Sequence, residues 1–152
     1  MSEPRRLWDD LAVGQALAPL SFPLTTYRLV VAAAGNRDFN PIHHNAAVAR
    51  STGAPDMYAN NIFLQGMWER SVRDFIGLHG RIRRLSGFRM RSFNVVGDTV
   101  VVKGEVATLW RDEAGDGWVD IRIWSENRHG VSVGPGNILA TLPTRARLPS
   151  KA

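Results

Sequence analysis

The chain of 152 residues has no cysteine, which excludes disulfides and thiolate metal sites. Only Lys103 and Lys151 among its 19 basic residues are lysines, so the net charge of +5 is carried by arginine. No apolar run approaches the roughly 18 residues of a membrane-spanning helix. The amino terminus, MSEPRRLWDD, lacks the apolar stretch of a signal peptide, and a cytoplasmic protein is expected. No repeat, linker or low-complexity segment interrupts the chain. Its 44% hydrophobic and 22% charged residues are values typical of a soluble globular domain. One domain over residues 1–152 is expected, with its core between about 7 and 145.

A basic chain raises nucleic acid as a partner. No zinc-finger spacing or aromatic ribonucleoprotein pattern accompanies the charge, so none is expected. A phosphorylated small molecule accounts for the arginines equally well, because the guanidinium fork suits phosphate.

The chain divides into helices first and strands later. Residues 7–24 read as a lead-in and a short strand kept at an edge by Pro19 and Pro23. Thr25 or Thr26 caps a helix from Tyr27 to Ala34, which Gly35 ends as a left-handed glycine. A short helix follows over Ala46 to Ser51. The long helical pattern runs from about Asn61 to Leu78, with Leu64, Trp68, Val72 and Phe75 on one apolar stripe. Glu69 with Arg73, and Arg70 with Asp74, are placed to pair across one helical turn. Strands are expected over 81–93, 98–111, 117–127 and about 136–146. The alternation of Val119, Ile121 and Ile123 with Asp120 and Arg122 gives one buried face. The fold class is therefore α+β, with an antiparallel sheet wrapped around one long helix.

Polar and conformationally special residues concentrate in Ala34 to Asn45, AGNRDFNPIHHN. Pro41 fixes its own φ and turns the residues before it away from helix, which makes a stiff loop. Asp38 precedes His43 by five positions, a spacing that can hold a water between them. A carboxylate and an imidazole together can give and take a proton near neutral pH, which suits adding or removing water. Asn40 is placed either to hold the loop or to orient that water. Residue by residue, Asp38 also reads as a cap for a helix starting near Pro41, and His43 as an ordinary half-buried histidine.

The run Asp38 to His43, DFNPIH, resembles the D-x-N-P-x-H signature of the MaoC-like (R)-specific enoyl-CoA hydratases. WDDLAVG at Trp8 to Gly14, Ala49, Gln65-Gly66-Met67 and Val96-Gly97-Asp98-Thr99 resemble that family's other landmarks in order. The resemblance implies a single hotdog domain that reversibly hydrates trans-2-enoyl-CoA to (R)-3-hydroxyacyl-CoA. It implies that Asp38 and His43 are catalytic and that the Gly66 amide binds the thioester carbonyl. The other reading of Gly66 is close packing of helix on sheet. Neither a metal nor a redox cofactor is implied, coenzyme A entering only as part of the substrate. A homodimer, or pairing with a second MaoC-like chain, is expected, and no membrane.

Two residues depart from the family pattern. Arg37 stands where a glycine usually precedes the aspartate, and it either reshapes the loop or reaches substrate. Asn45 replaces an acidic residue. Asn40, Arg37, Met67, Arg89 and Arg91 are the substrate-binding candidates, the last two from the densest basic run, which also holds Arg81, Arg83 and Arg84. Rival readings are a hotdog thioesterase, a subunit of a heteromeric hydratase acting on a bulky acyl-CoA, and a noncatalytic acyl-binding subunit. Carrier-protein thioesters stand as an alternative to coenzyme A.

Overall fold

A computed structural model describes residues 6–147; the outermost residues of the expected 1–152 domain lie outside that range. Five strands form one antiparallel sheet: β1 (Leu20–Pro23), β2 (Arg81–Ser86), β3 (Thr99–Arg111), β4 (Gly117–Asn127) and β5 (Gly130–Leu142). Their order is β1-β3-β4-β5-β2, which leaves β1 and β2 as edges. Three helices precede or interrupt them: α1 (Thr26–Gly35), α2 (Ala46–Ser51) and α3 (Asn61–Ile76).

Local chemistry explains the helix starts. The Thr25 side chain accepts the Arg28 amide, Asn45 accepts those of Ala47 and Val48, and Asn60 accepts that of Phe63. Each supplies an oxygen to amides that the first helical turn leaves without a partner. The apolar stripe of α3 then buries Leu64, Met67, Trp68, Val72, Phe75 and Ile76 in one cluster with the inward residues of the sheet. Val119, Ile121 and Ile123 of β4 are fully buried there, as their alternation requires. Trp68 donates its indole N–H to Ser125 Oγ at 2.8 Å, so the largest core side chain leaves no polar atom unpaired.

Four boundaries differ from expectation. The left-handed residue after α1 is Arg37, at φ 55°, while Gly35 remains inside the helix. Helix α3 stops at Ile76, two residues early, because Gly77 turns the chain at φ 71°. Strand β2 ends at Ser86 rather than 93, because Gly87, at φ 68°, breaks it and only an isolated bridge, Met90 with Val133, follows. Strand β5 begins at Gly130, since the Gly134-Pro135-Gly136 run sits within the strand where its register with β4 slips. Of the two expected helix pairs, Arg70 and Asp74 meet at 2.8 Å. Arg73 instead turns to the Gly80 carbonyl at 2.8 Å, beyond the helix end.

Candidate active site

The loop after α1 is held by backbone bonds that run back into the helix. The Arg37 amide donates to Ala34 O at 3.1 Å and the Asp38 amide to Ala33 O at 2.9 Å. This pattern closes a helix with one left-handed residue, here an arginine. Asn40 then caps a short 3-10 turn over Pro41–His43 by accepting the Ile42 amide at 3.3 Å. Its carbonyl oxygen thus holds the loop. The next cap is Asn45, so neither helical start is capped by Asp38.

These bonds bring Asp38 and His43 together. His43 Nε2 lies 3.1 Å from Asp38 Oδ2, with the imidazole 7% exposed and the carboxylate 33% exposed. The contact is direct, where the spacing had been expected to leave room for a water. His43 Nδ1 lies 2.8 Å from the Tyr58 carbonyl oxygen. A carbonyl only accepts, so Nδ1 carries a hydrogen in that contact. Nε2 and a carboxylate oxygen at 3.1 Å are both acceptors unless a proton lies between them. A proton placed between them can be passed on by either group, while Tyr58 fixes the ring's orientation. The Tyr58 ring also packs edge-on against the imidazole, at 5.4 Å between centroids.

Helix α3 begins three residues after Tyr58, whose carbonyl holds His43. Asn60, buried to 4% exposure, accepts the Phe63 amide at 2.8 Å and the Asn36 side-chain amide at 3.2 Å. It thereby ties the helix start to the end of α1. The first internal bond of the helix is Leu64 N–H to Asn60 O at 3.1 Å. The amides of Asn61 and Ile62 precede it and point out of the helix with its partial positive charge.

Gly66 is corrected on both of its readings. It is the sixth residue of α3, so its N–H belongs to the helical ladder and is not free for a carbonyl. Nor does it allow close packing, because a Cβ built there meets nothing within 4 Å. It instead lines a cavity of about 570 Å³ between α1 and the first half of α3. Met67, Phe22, Tyr27, Val31 and Ile62 also line it. Asp38 and His43 stand outside that lining, while Asn36, which is in it, donates to Asn60 at the start of α3. Met67 is 2% exposed and serves the core as well as the cavity wall.

The arginines are dispersed. Arg37, Arg89 and Arg91 are all exposed. Arg91 donates its Nε–H to the Gly134 carbonyl, and the Arg89 carbonyl accepts the Gly134 amide. Both lie past the break at Gly87, so they do not share a strand face with Arg81 and Arg83 as the expected strand required. Among the described residues no group of three or more His, Cys, Asp or Glu is placed to hold a metal. No helix of the described chain is long and apolar enough to cross a membrane. Sequence reasoning missed Tyr58, Asn36 and Asn60 as parts of the site. Only Asn60 carried a signal, as an asparagine just before an apolar helical stripe.

No protein-family model matches the chain. It is 28% identical over 121 residues to the 3-oxo-4,17-pregnadiene-20-carboxyl-CoA hydratase beta subunit of Mycobacterium tuberculosis, spanning 80% of this chain and 89% of that one. Its fold matches a chain of the ChsH1-ChsH2 complex from Mycobacterium tuberculosis with a TM-score of 0.78 at 25% identity, covering 86% of this chain and 98% of that one. It also matches the (R)-hydratase from A. caviae involved in PHA biosynthesis, with a TM-score of 0.79 at 24% identity, covering 88% and 98%.

Proposed function

We propose that the chain is a MaoC-like hotdog hydro-lyase interconverting trans-2-enoyl-CoA and (R)-3-hydroxyacyl-CoA, a reading supported by its similarity to a CoA hydratase subunit and to (R)-hydratases. The observation that carries this reading is the Asp38–His43 contact, with the imidazole pinned on the Tyr58 carbonyl three residues before α3 begins.

In the proposed mechanism the thioester carbonyl accepts the Asn61 or Ile62 amide, in place of the expected Gly66. Charge developing on that oxygen is stabilised by the helix start, and losing one such donor costs about 3 to 4 kcal/mol in measured cases. Asp38, the more exposed partner, turns to admit a water between itself and His43 Nε2. The water oxygen bonds to Cβ, and the double-bond electrons move toward Cα and the carbonyl. The pair takes one proton from the water and returns its shared proton to Cα, so its own protonation is unchanged over a turnover. Delivery from one side makes the addition syn. The chemistry so written calls for no metal or redox cofactor.

The cavity is the proposed acyl site. Its volume falls within the roughly 300–1,000 Å³ of pockets for drug-sized ligands, more than a four-carbon acyl group fills. A bulky acyl group, of the kind carried in the name of the Mycobacterium tuberculosis relative, fits that size. Arg37 and Arg89, both exposed cations, are proposed for the coenzyme A phosphates. A second chain, identical or related, is proposed to pair with this one and close the groove, as the fold match to one chain of a two-chain complex supports.

The test is loss of enoyl absorbance from crotonyl-CoA and from a bulky enoyl-CoA, run beside Asp38→Asn. Turnover that falls by about 10²-fold or more in the variant is expected for loss of a general acid–base group. Near wild-type turnover by folded Asp38→Asn sinks the mechanism. Release of free thiol without hydration would establish the thioesterase reading instead.

A further inference from the structure

Helix α3 lines a second cavity, of about 350 Å³, further along its length. Arg6, Gln15, Leu20, Ser71, Asp74 and Phe75 stand around it. The two cavities follow one another along one groove between β1 and α3. Phe22 lines the first and Leu20 the second, two residues apart and so on one face of β1. Met67 lines the first and Ser71 the second, one helical turn apart, with Ser71 Oγ donating to Met67 O at 3.0 Å.

The chemistry changes along the groove: the first cavity is mostly apolar, whereas the second is about equally polar and apolar. Ser71, 4% exposed, interrupts the apolar stripe of α3 where the second cavity opens. Gln15 Oε1 accepts the Ala12 amide at 3.2 Å, which leaves its Nε2 to donate. Arg6 donates from Nη1 to the Phe75 carbonyl at 2.8 Å and lies over the Phe75 ring, 4.6 Å from its centroid, with further N–H groups to give. Asp74 Oδ1 accepts from Arg70 Nε at 2.8 Å, which leaves Oδ2 to accept. Arg6 and Asp74 balance each other's charge in the lining, so the cavity suits an uncharged polar group better than an anion.

We propose that this second cavity receives the far end of the acyl group, and that this end carries a hydroxyl, which accepts from Gln15 and Arg6 and donates to Asp74. The proposal rests on the reading that sets the thioester carbonyl at the Asn61 or Ile62 amide. With a rise of about 1.5 Å per residue, Ser71 and Asp74 lie roughly 14–20 Å further along the helix, so the acyl group is long or polycyclic. An oxygen that far from the double bond takes no part in the reaction. Its effect is on selection: an acyl group of equal length without it strips water from Gln15 and Asp74 and returns no hydrogen bond.

The test is calorimetric affinity for dodecanoyl-CoA and 12-hydroxydodecanoyl-CoA, neither of which has a double bond to hydrate. Wild type is expected to bind the hydroxy thioester about three- to tenfold more tightly, the worth of one hydrogen bond. Gln15→Leu should bring that ratio close to one by weakening the hydroxy thioester alone. Ser71→Leu, which fills the cavity from the helix side, should weaken both. Dodecanedioyl-CoA, whose far carboxylate meets Asp74, should bind less tightly than the hydroxy thioester. Equal affinity of wild type for the two thioesters, binding of neither, or a preference that Gln15→Leu retains overturns the proposal. So do affinities that Ser71→Leu leaves unchanged while circular dichroism shows it folded. Hydration of the matching enoyl thioesters is measured separately, and its absence beside an intact binding preference counts against the Asp38–His43 chemistry and not against the cavity.

Discussion

Arg37 offers a test of the loop that carries the site. Its φ of 55° places an arginine in the left-handed region, where an L-residue pays roughly 1–2 kcal/mol. Arg37→Gly removes that cost but adds the conformational entropy of a glycine, about 0.5–1 kcal/mol. The net expectation is a gain of about 0.5–1 kcal/mol. Arg37→Ala removes the guanidinium and keeps the strain, so it should gain nothing. For a chain of this size about 1 kcal/mol moves Tm by roughly 2–4 °C. Urea denaturation of the three proteins measures it, with the midpoint rising for Arg37→Gly alone and the slope unchanged. The thioester KM should rise alike in both variants, because both lose the cation proposed for the phosphates. An Arg37→Gly protein no more stable than Arg37→Ala refutes the strain argument. A KM change confined to one variant refutes the role given to the side chain.

Asn60→Ala removes the cap of α3 and the tie to Asn36 together; a loss of about 1–2 kcal/mol in urea is expected, with kcat falling as the free amides lose their fixed direction. Gly66→Phe should fold, since nothing lies within 4 Å of its Cβ, and should lose turnover of bulky enoyl-CoA while keeping crotonyl-CoA. Equal loss on both substrates would remove the cavity from the acyl site. Hydrogen bonds from Lys103 and Trp124 hold Glu126 below the ordinary glutamate range. A carboxylate lowered in the folded state contributes stability that is present above its unfolded pKa and lost as pH falls through the folded one. Glu126→Gln should therefore flatten the acid side of the stability–pH curve and leave the alkaline side unchanged.

Sequence alone determined the elements whose signals are local. The threonine cap before α1, expected at Thr25 or Thr26 and found at Thr25, the apolar stripe of α3 and the alternation in β4 each depend on residues within a few positions. The Asp38-to-His43 motif was legible for the same reason, as was the resemblance it carries. Tertiary structure decided what distant residues impose on one another. Tyr58 reaches His43 across 15 positions and orients its ring; Asn36 reaches Asn60 across 24 and joins two helices. Gly66 looked like an oxyanion glycine until the position of Asn60 showed how much of the helix precedes it. Strand β5 runs through a Gly-Pro-Gly stretch, because β4 pairs with Val133 before it and with Gly136 at its end. A backbone amide or an imidazole acquires its role from what stands opposite it, and in this fold those opposites arrive from elsewhere in the chain.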